Sequence, residues 1–277
     1  MVLDFLCVGT YRAGTTWMYK MLEQHPDIWL PNEKEIMFFS HHYEKGTDWY
    51  LEFFKDHDKN KLTGEICPTY LSEENSAARI AKLAPTAKII LTLREPSAQI
   101  HSLYNLALTR GKKKGTLMQT IQAEDFFLNN VLYYKHLMRF LEHFDREKIL
   151  VLFYEDMKSD HQAYLDSIYE FLDIEKYYPE NMTEKVNYAR KPKNQLIENI
   201  ISKFASFLRR GGMIKIKSQL KKIGIVKIVD KIRKINTSDT QQDKMPKEFI
   251  EFVQGYVKED RENLEKFLGR KLDIWDI

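Results

Sequence analysis

The run Gly9-Thr10-Tyr11-Arg12-Ala13-Gly14-Thr15-Thr16 constrains the fold more than any other stretch of the 277-residue chain. It follows a short apolar segment, Leu3 to Val8, and precedes a helical pattern, Trp17, Met18, Met21 and Leu22, closed by Pro26. A strand, a glycine-bounded loop and a helix in that order gather backbone N–H groups and a helix amino terminus at one strand end, which suits a phosphate. The plain alternative is an ordinary strand-to-helix turn with a threonine cap. The GxxxxG spacing is that of nucleotide-phosphate loops, but Thr15 stands where a nucleotide kinase or NTPase carries lysine. Arg12 is the loop's cation, placed to reach a group being transferred, which moves the reading away from γ-phosphoryl transfer.

Further strands are expected at residues 62–66, 88–94 and 148–154, and helices at about 77–83, 97–109, 124–143, 162–172 and 247–268. The 88–94 segment is apolar almost throughout, as in a sheet covered on both faces. Alternating strands and helices predict an α/β fold with a central parallel sheet flanked by helices, its ligands bound outside the carboxyl ends of the strands. A hydrophobic content of 43% excludes a largely disordered chain. The two cysteines, Cys7 and Cys67, exclude a disulfide scaffold, and the eight histidines are scattered, so no metal site is expected. No segment has the roughly 18 uninterrupted apolar residues of a membrane span. The opening segment carries Asp4 and is too short for a signal peptide, so a cytoplasmic location is expected.

Arg12-Ala13-Gly14-Thr15-Thr16-Trp17 resembles the 5′-phosphosulfate-binding loop of sulfotransferases, the enzymes that use 3′-phosphoadenylyl sulfate (PAPS). Arg in place of the more usual Lys also occurs in tyrosyl-protein sulfotransferases. A second stretch, Leu93-Arg94-Glu95-Pro96 with Ser102 eight residues after Arg94, resembles the family's 3′-phosphate signature. The physics is compatible: an arginine at a strand end binds phosphate through paired charge-assisted bonds, and a helical serine adds a hydroxyl. Either motif alone is also what a helix-capping arginine or an inert serine looks like. The resemblance implies a P-loop-like single domain spanning residues 1–277, a PAPS donor and the product adenosine 3′,5′-bisphosphate (PAP).

Sulfuryl transfer to a hydroxyl requires a proton acceptor and a cation facing the leaving phosphate. Glu35, followed by Phe38-Phe39, Gly46 and Trp49-Tyr50, resembles the catalytic glutamate region of the heparan sulfate N- and 3-O-sulfotransferases. That likeness makes Glu35 the base, Lys34 a contact to sulfate or acceptor, and Arg12 the stabiliser of the bridging oxygen. A solvated loop carboxylate is the bland alternative for Glu35. One departure stands out: the heparan enzymes have Glu-Lys where this chain has Glu65-Ile66, which makes a heparan-like acceptor less secure. Tyr133 and Tyr154-Glu155-Asp156 match scaffold positions of the family. Arg190 and Lys191 fall where a basic loop covers the 3′-phosphate.

Residues 203–234 hold eleven Lys or Arg against the single acid Asp230, so the stretch carries +10 and, with a formal net charge of +3, the remainder carries −7. A basic insertion at about 203–240 reads as a docking surface for an acidic glycan, as an amphipathic element on anionic membrane, or as a solvated face at the domain edge. Nucleic acid is not an expected partner, for no recognition motif accompanies the charge. Together these readings point to sulfuryl transfer onto a hydroxyl, on a carbohydrate or else on a lipid or small natural-product alcohol. A P-loop kinase or NTPase and a non-catalytic membrane-binding module are the rival classes.

Overall fold

The computed structural model describes residues 3–109, 115–184, 190–192, 237–239 and 244–276. Two compact units are distinguished in the chain. The first takes Met1–Ile100, Asp125–Val186 and Lys247–Ile277, and the second His101–Glu124 and Asn187–Pro246.

The first unit is built on five parallel strands: β1 (Phe5–Gly9), β2 (Ile28–Trp29), β3 (Leu62–Ile66), β4 (Lys88–Leu93) and β5 (Ile149–Phe153), in the order β2-β3-β1-β4-β5. With β1 central, every one of its residues is buried, which is why its sequence lacks polar alternation. In register, Cys7 lies beside Ile66 of β3 and Ile90 of β4, and Ile90 beside Leu150 of β5. Gly64 is required here, because a β-carbon would lie 2.2 Å from the Phe5 ring across the ladder.

One face of the sheet, with Phe5, Cys7, Ile66, Ile90 and Leu152, is closed by α1 (Thr15–Leu22) and α10 (His161–Leu172). The helices bury residues at three- and four-residue spacing, Trp17, Met18, Met21 and Leu22 from one, Tyr164, Leu165, Ile168, Tyr169 and Leu172 from the other. Each such side chain contributes about 1.5–3 kcal/mol of burial. Leu6, Val8, Ile89, Leu91 and Leu93 fill the opposite face. The parallel sheet flanked by helices is the expected α/β architecture.

Between β2 and β3 lie α2 (Phe38–His41) and α3 (Gly46–Leu51), and between β3 and β4 lies α4 (Ser76–Leu83). The helix expected at 124–143 is two, α7 (Asp125–Asn129) and α8 (Tyr133–Leu141). The break has a local cause: the Asn130 amide donates to the Phe126 carbonyl at 2.6 Å, and the His136 ring bonds the Asn129 carbonyl at 2.6 Å. The His136 ring, with Leu132 N–H at 3.3 Å, thus takes the Asn129 carbonyl that Tyr133 N–H would use in a continuous helix. The strand expected to reach residue 154 ends at Phe153, where α9 (Tyr154–Ser159) begins. The final helix, α11 (Lys247–Leu268), runs over the expected residues.

Residues 96–109 form α5 (Pro96–Thr109), which begins in the first unit. The second unit also contains α6 (Leu117–Ala123), opened by a Thr116/Gln119 capping box, and the antiparallel pair β6 (Arg190–Pro192) and β7 (Thr237–Asp239). The basic stretch 203–234 lies outside the described residues. Among those described, no helix is long and apolar enough to cross a membrane.

Candidate functional site

The loop after β1 is held from the neighbouring strand. Gly9 has no room for a β-carbon, which would meet Leu71 Cβ at 2.4 Å, and Thr10 N–H continues the ladder to Thr92 O at 2.6 Å. Thr92 Oγ1 donates to the Ala13 carbonyl at 2.7 Å while accepting from the Tyr164 hydroxyl at 2.9 Å. Arg94 Nη1 donates to the Arg12 carbonyl at 2.8 Å. Two consecutive carbonyls are thereby turned toward β4, and planar peptides turn the following N–H groups of Ala13 and Gly14 the other way. Arg12 and Gly14 are both left-handed, at φ 61° and 88°. At Gly14 a β-carbon would also lie 2.8 Å from Met157 Sδ. Thr15, Thr16 and Trp17 then open α1, whose first-turn amides have no intrahelical acceptor. The result is a set of N–H groups at a positive helix end, the arrangement an anion requires.

The Trp17 side chain does not reach this cradle. It is buried in the core, and its Nε1 donates to the Met182 carbonyl at 2.8 Å, so only its backbone is offered to a ligand. Arg12 is half-buried at the loop's edge.

Arg94 follows the last residue of β4. Its guanidinium packs over the Tyr154 ring at 4.5 Å, one nitrogen holds the phosphate loop, and its Nε is buried without a hydrogen-bond partner. Buried donors are rarely left unpaired, so this one is suited to an incoming acceptor. Glu95 opens α5 by accepting from Ser97 N–H at 2.9 Å and Ala98 N–H at 2.5 Å. Burial raises its carboxyl above the usual range, against the pull of those two amides. Ser102 is a buried residue of α5 that belongs to the second unit. Arg190 and Lys191 lie in β6 of that unit, paired with Asp239 and Ser238.

Glu35 and Lys34 sit in the irregular segment between β2 and α2. Lys34 Nζ lies 3.6 Å from Glu35 Oε1, with side chains 12% and 24% exposed. The ammonium is buried and makes no hydrogen bond. The segment is tied to the end of β3: the Tyr70 hydroxyl accepts from Phe38 N–H at 3.0 Å, and Ser40 Oγ is 2.7 Å from Thr69 Oγ1. Electrostatics join it to the phosphate loop as well. Burial, helped by the Cys67 and Glu35 charges, raises the Tyr11 phenol far above its usual range. Burial pushes the Cys7 thiol up to about 12, with Lys34 pulling it down.

Sequence reasoning did not single out Glu65 as a site group. It is fully buried at the carboxyl end of β3, accepting from the Tyr50 hydroxyl at 2.6 Å and the Tyr70 hydroxyl at 2.7 Å. Burial raises its carboxyl to about 7, opposed by the two phenols and by Lys34. Its signal was an acidic residue inside an expected strand, one position before its last residue, Ile66. Ile66 beside it belongs to the core against α1 and supplies no cation. Tyr133 is scaffold: its hydroxyl lies 2.7 Å from the Arg94 carbonyl and also reaches the Gln99 side chain, which donates to Thr10 Oγ1 at 3.0 Å. An open groove of about 1000 Å³ lined by Asp4, Asp27, Lys61, Glu170 and Lys176 lies at the amino ends of β1 and β3, away from these groups.

The carboxyl ends of β1, β3 and β4 thus bring together the phosphate loop, Arg94, Lys34, Glu35 and Glu65. The mouse bifunctional heparan sulfate N-deacetylase/N-sulfotransferase 4 is 28% identical over 208 residues, 66% of this chain and 23% of that protein. A membrane-associated sulfotransferase, kil1 of Dictyostelium discoideum, is 34% identical over 108 residues, 38% of this chain and 23% of its own length. The chain therefore spans about a quarter of the length of these relatives. Among solved structures, a sulfotransferase from Alicyclobacillus acidocaldarius superposes over 100% of both chains with TM-score 0.72 and 19% identity, which shows the same fold. The sulfotransferase domain family model matches residues 3–267, and the chain belongs to that family.

Proposed function

We propose that the protein transfers a sulfuryl group from PAPS to a hydroxyl acceptor, and that the acceptor is a carbohydrate. The observation that carries this reading is Arg94, which grips the phosphate loop through one nitrogen and keeps a second buried donor unpaired. A donor with phosphate at both its 5′ and 3′ positions would engage the two motifs together. The residues present fit it: Gly14, Ala13 and the first-turn amides of Thr15, Thr16 and Trp17 for the 5′ end, Arg94 for the 3′-phosphate. The sequence motif adds Ser102 there, and Arg190 or Lys191 as a covering loop. Relatives named for heparan sulfate favour a glycan acceptor, with a lipid or small alcohol as the second choice.

In this scheme PAPS supplies the activated sulfuryl group. Glu35 takes the proton of the acceptor hydroxyl as its oxygen bonds to sulfur and the bond to the bridging phosphate oxygen breaks. Arg12 offsets the charge left on that oxygen. Lys34, its ammonium buried and unsatisfied, faces the sulfuryl oxygens and orients Glu35. A cytoplasmic location, and contact of residues 203–234 with an acidic glycan or anionic membrane, belong to the same proposal.

The test is transfer of labelled sulfate from PAPS across a panel of glycans, phenols, lipids and small alcohols. Removing a general base costs roughly 10²- to 10⁴-fold in rate, so Glu35→Gln is expected to lose turnover to that extent while binding PAP as the wild type does. Full activity in the variant sinks the assignment of the base, and no transfer to any acceptor sinks the wider reading.

A further inference from the structure

Arg94 is held on three sides, and two of its supports, Tyr133 and Glu155, lead to the turn Asp273–Trp275. Its guanidinium lies on the Tyr154 ring, its carbonyl accepts from the Tyr133 hydroxyl, and the next amide, Glu95 N–H, donates to Glu155 Oε1 at 3.0 Å. The other oxygen of that carboxylate accepts from Trp275 Nε1 at 3.2 Å. The indole is 1% exposed and wedged between Tyr133 and Phe153, with ring centroids 5.7 and 5.6 Å away. Arg270, just before that turn, donates a pair of hydrogen bonds to Asp156, at 2.8 and 3.0 Å, while packing over Phe153 at 4.8 Å.

We infer that Trp275 is a positioning residue for the 3′-phosphate site, acting through Glu155 and Tyr133 to fix the backbone of Arg94 and Glu95. Filling the space between Tyr133 and Phe153 needs only an aromatic ring. The indole N–H does something further, for it holds Glu155, a carboxylate that joins the Asp273–Trp275 turn to the residue after Arg94. Without it Glu155 has one fewer donor to fix its rotamer, and the amide that follows Arg94 loses a rigid acceptor. The guanidinium then samples more orientations, at a cost to whatever it grips.

The inference rests on the proposal that Arg94 holds the donor's 3′-phosphate, so the test separates the two. Calorimetry on the full chain measures PAP, and displacement measures AMP, which lacks the 3′-phosphate. Loss of one supporting hydrogen bond corresponds to about a three- to tenfold change in an equilibrium constant. Trp275→Phe, which keeps the ring, is expected to lower the ratio of PAP to AMP affinity by that factor. Glu155→Gln is expected to do the same, and keeps the test alive if the tryptophan variant folds poorly. A merely structural role lowers both affinities together and leaves the ratio unchanged, which overturns the inference, as does an unchanged PAP affinity. If Arg94→Ala binds PAP like the wild type, the reading of the site fails as well. If Arg94→Ala loses PAP and neither supporting variant changes the ratio, only the role of Trp275 fails.

Discussion

Glu65 and His136 are buried groups whose burial sets them against each other as pH changes. The Glu65 carboxyl is raised by burial to about 7 from 4.5. Its contribution to stability is therefore complete below pH 4.5 and lost as pH rises through about 7, where a charge must be kept in the interior. The His136 ring is lowered by burial to about 4 from 6.5, with the Arg139 and Lys135 charges adding to the effect. Its contribution is present above pH 6.5 and lost as pH falls through about 4. Thermal melts of Glu65→Gln and wild type are expected to diverge in the variant's favour between pH 5 and 8, by roughly 2–4 °C for each kcal/mol. An equal difference across that range would show that Glu65 does not titrate there. For His136→Gln the variant's deficit is expected to narrow as pH drops from 7 to 4. The acidic residue within β3 was visible in the sequence, but its two tyrosine partners, 5 and 15 positions away, were not readable as such.

At the scale of elements, the strand–loop–helix at residues 5–22 was legible because its signals are local: an apolar run, two glycines and an amphipathic helix. Gly14 shows why the spacing is strict, since a side chain there meets both a left-handed backbone and Met157. Gly14→Ala is expected to destabilise the fold by about 1–3 kcal/mol and to abolish PAP binding, by melting and calorimetry. Wild-type binding in that variant would remove the loop from the site. By contrast, the start of α8 was not legible. Asp260 of α11 accepts from Tyr134 N–H and Lys135 N–H, each at 2.9 Å, and so caps a helix 125 residues earlier in the chain. Asp260→Ala is expected to cost about 0.5–2 kcal/mol, read as a lowered melting temperature with PAP affinity unchanged. Helices α2 and α3 were missed for a related reason: their aromatic side chains pack mainly on one another, with Phe38 stacked on Tyr50 at 4.5 Å. Such clustering leaves no clean helical stripe.

At the scale of the molecule, Thr15 stands where a phosphate-loop lysine would meet ATP, and that substitution argues against a kinase. Calorimetry is expected to show PAP binding tighter than ATP with magnesium, and the reverse order would favour the kinase class. Family membership and the parallel sheet agree with the alternation of strands and helices along the chain. The sequence by itself determined the fold class, and it supplied the two candidate phosphate motifs and the candidates Glu35, Lys34 and Arg12. These depend on residues close together in the chain, where periodicity, turn chemistry and charge act over a few positions. Only the tertiary structure decided that Trp17 is core, that Glu65 is a buried partner of two phenols, and that the Trp275 indole bonds Glu155, the carboxylate that also accepts from Glu95 N–H. Each of those depends on which distant residue removes water from a group or supplies its hydrogen bond, and that is set by packing across the sheet.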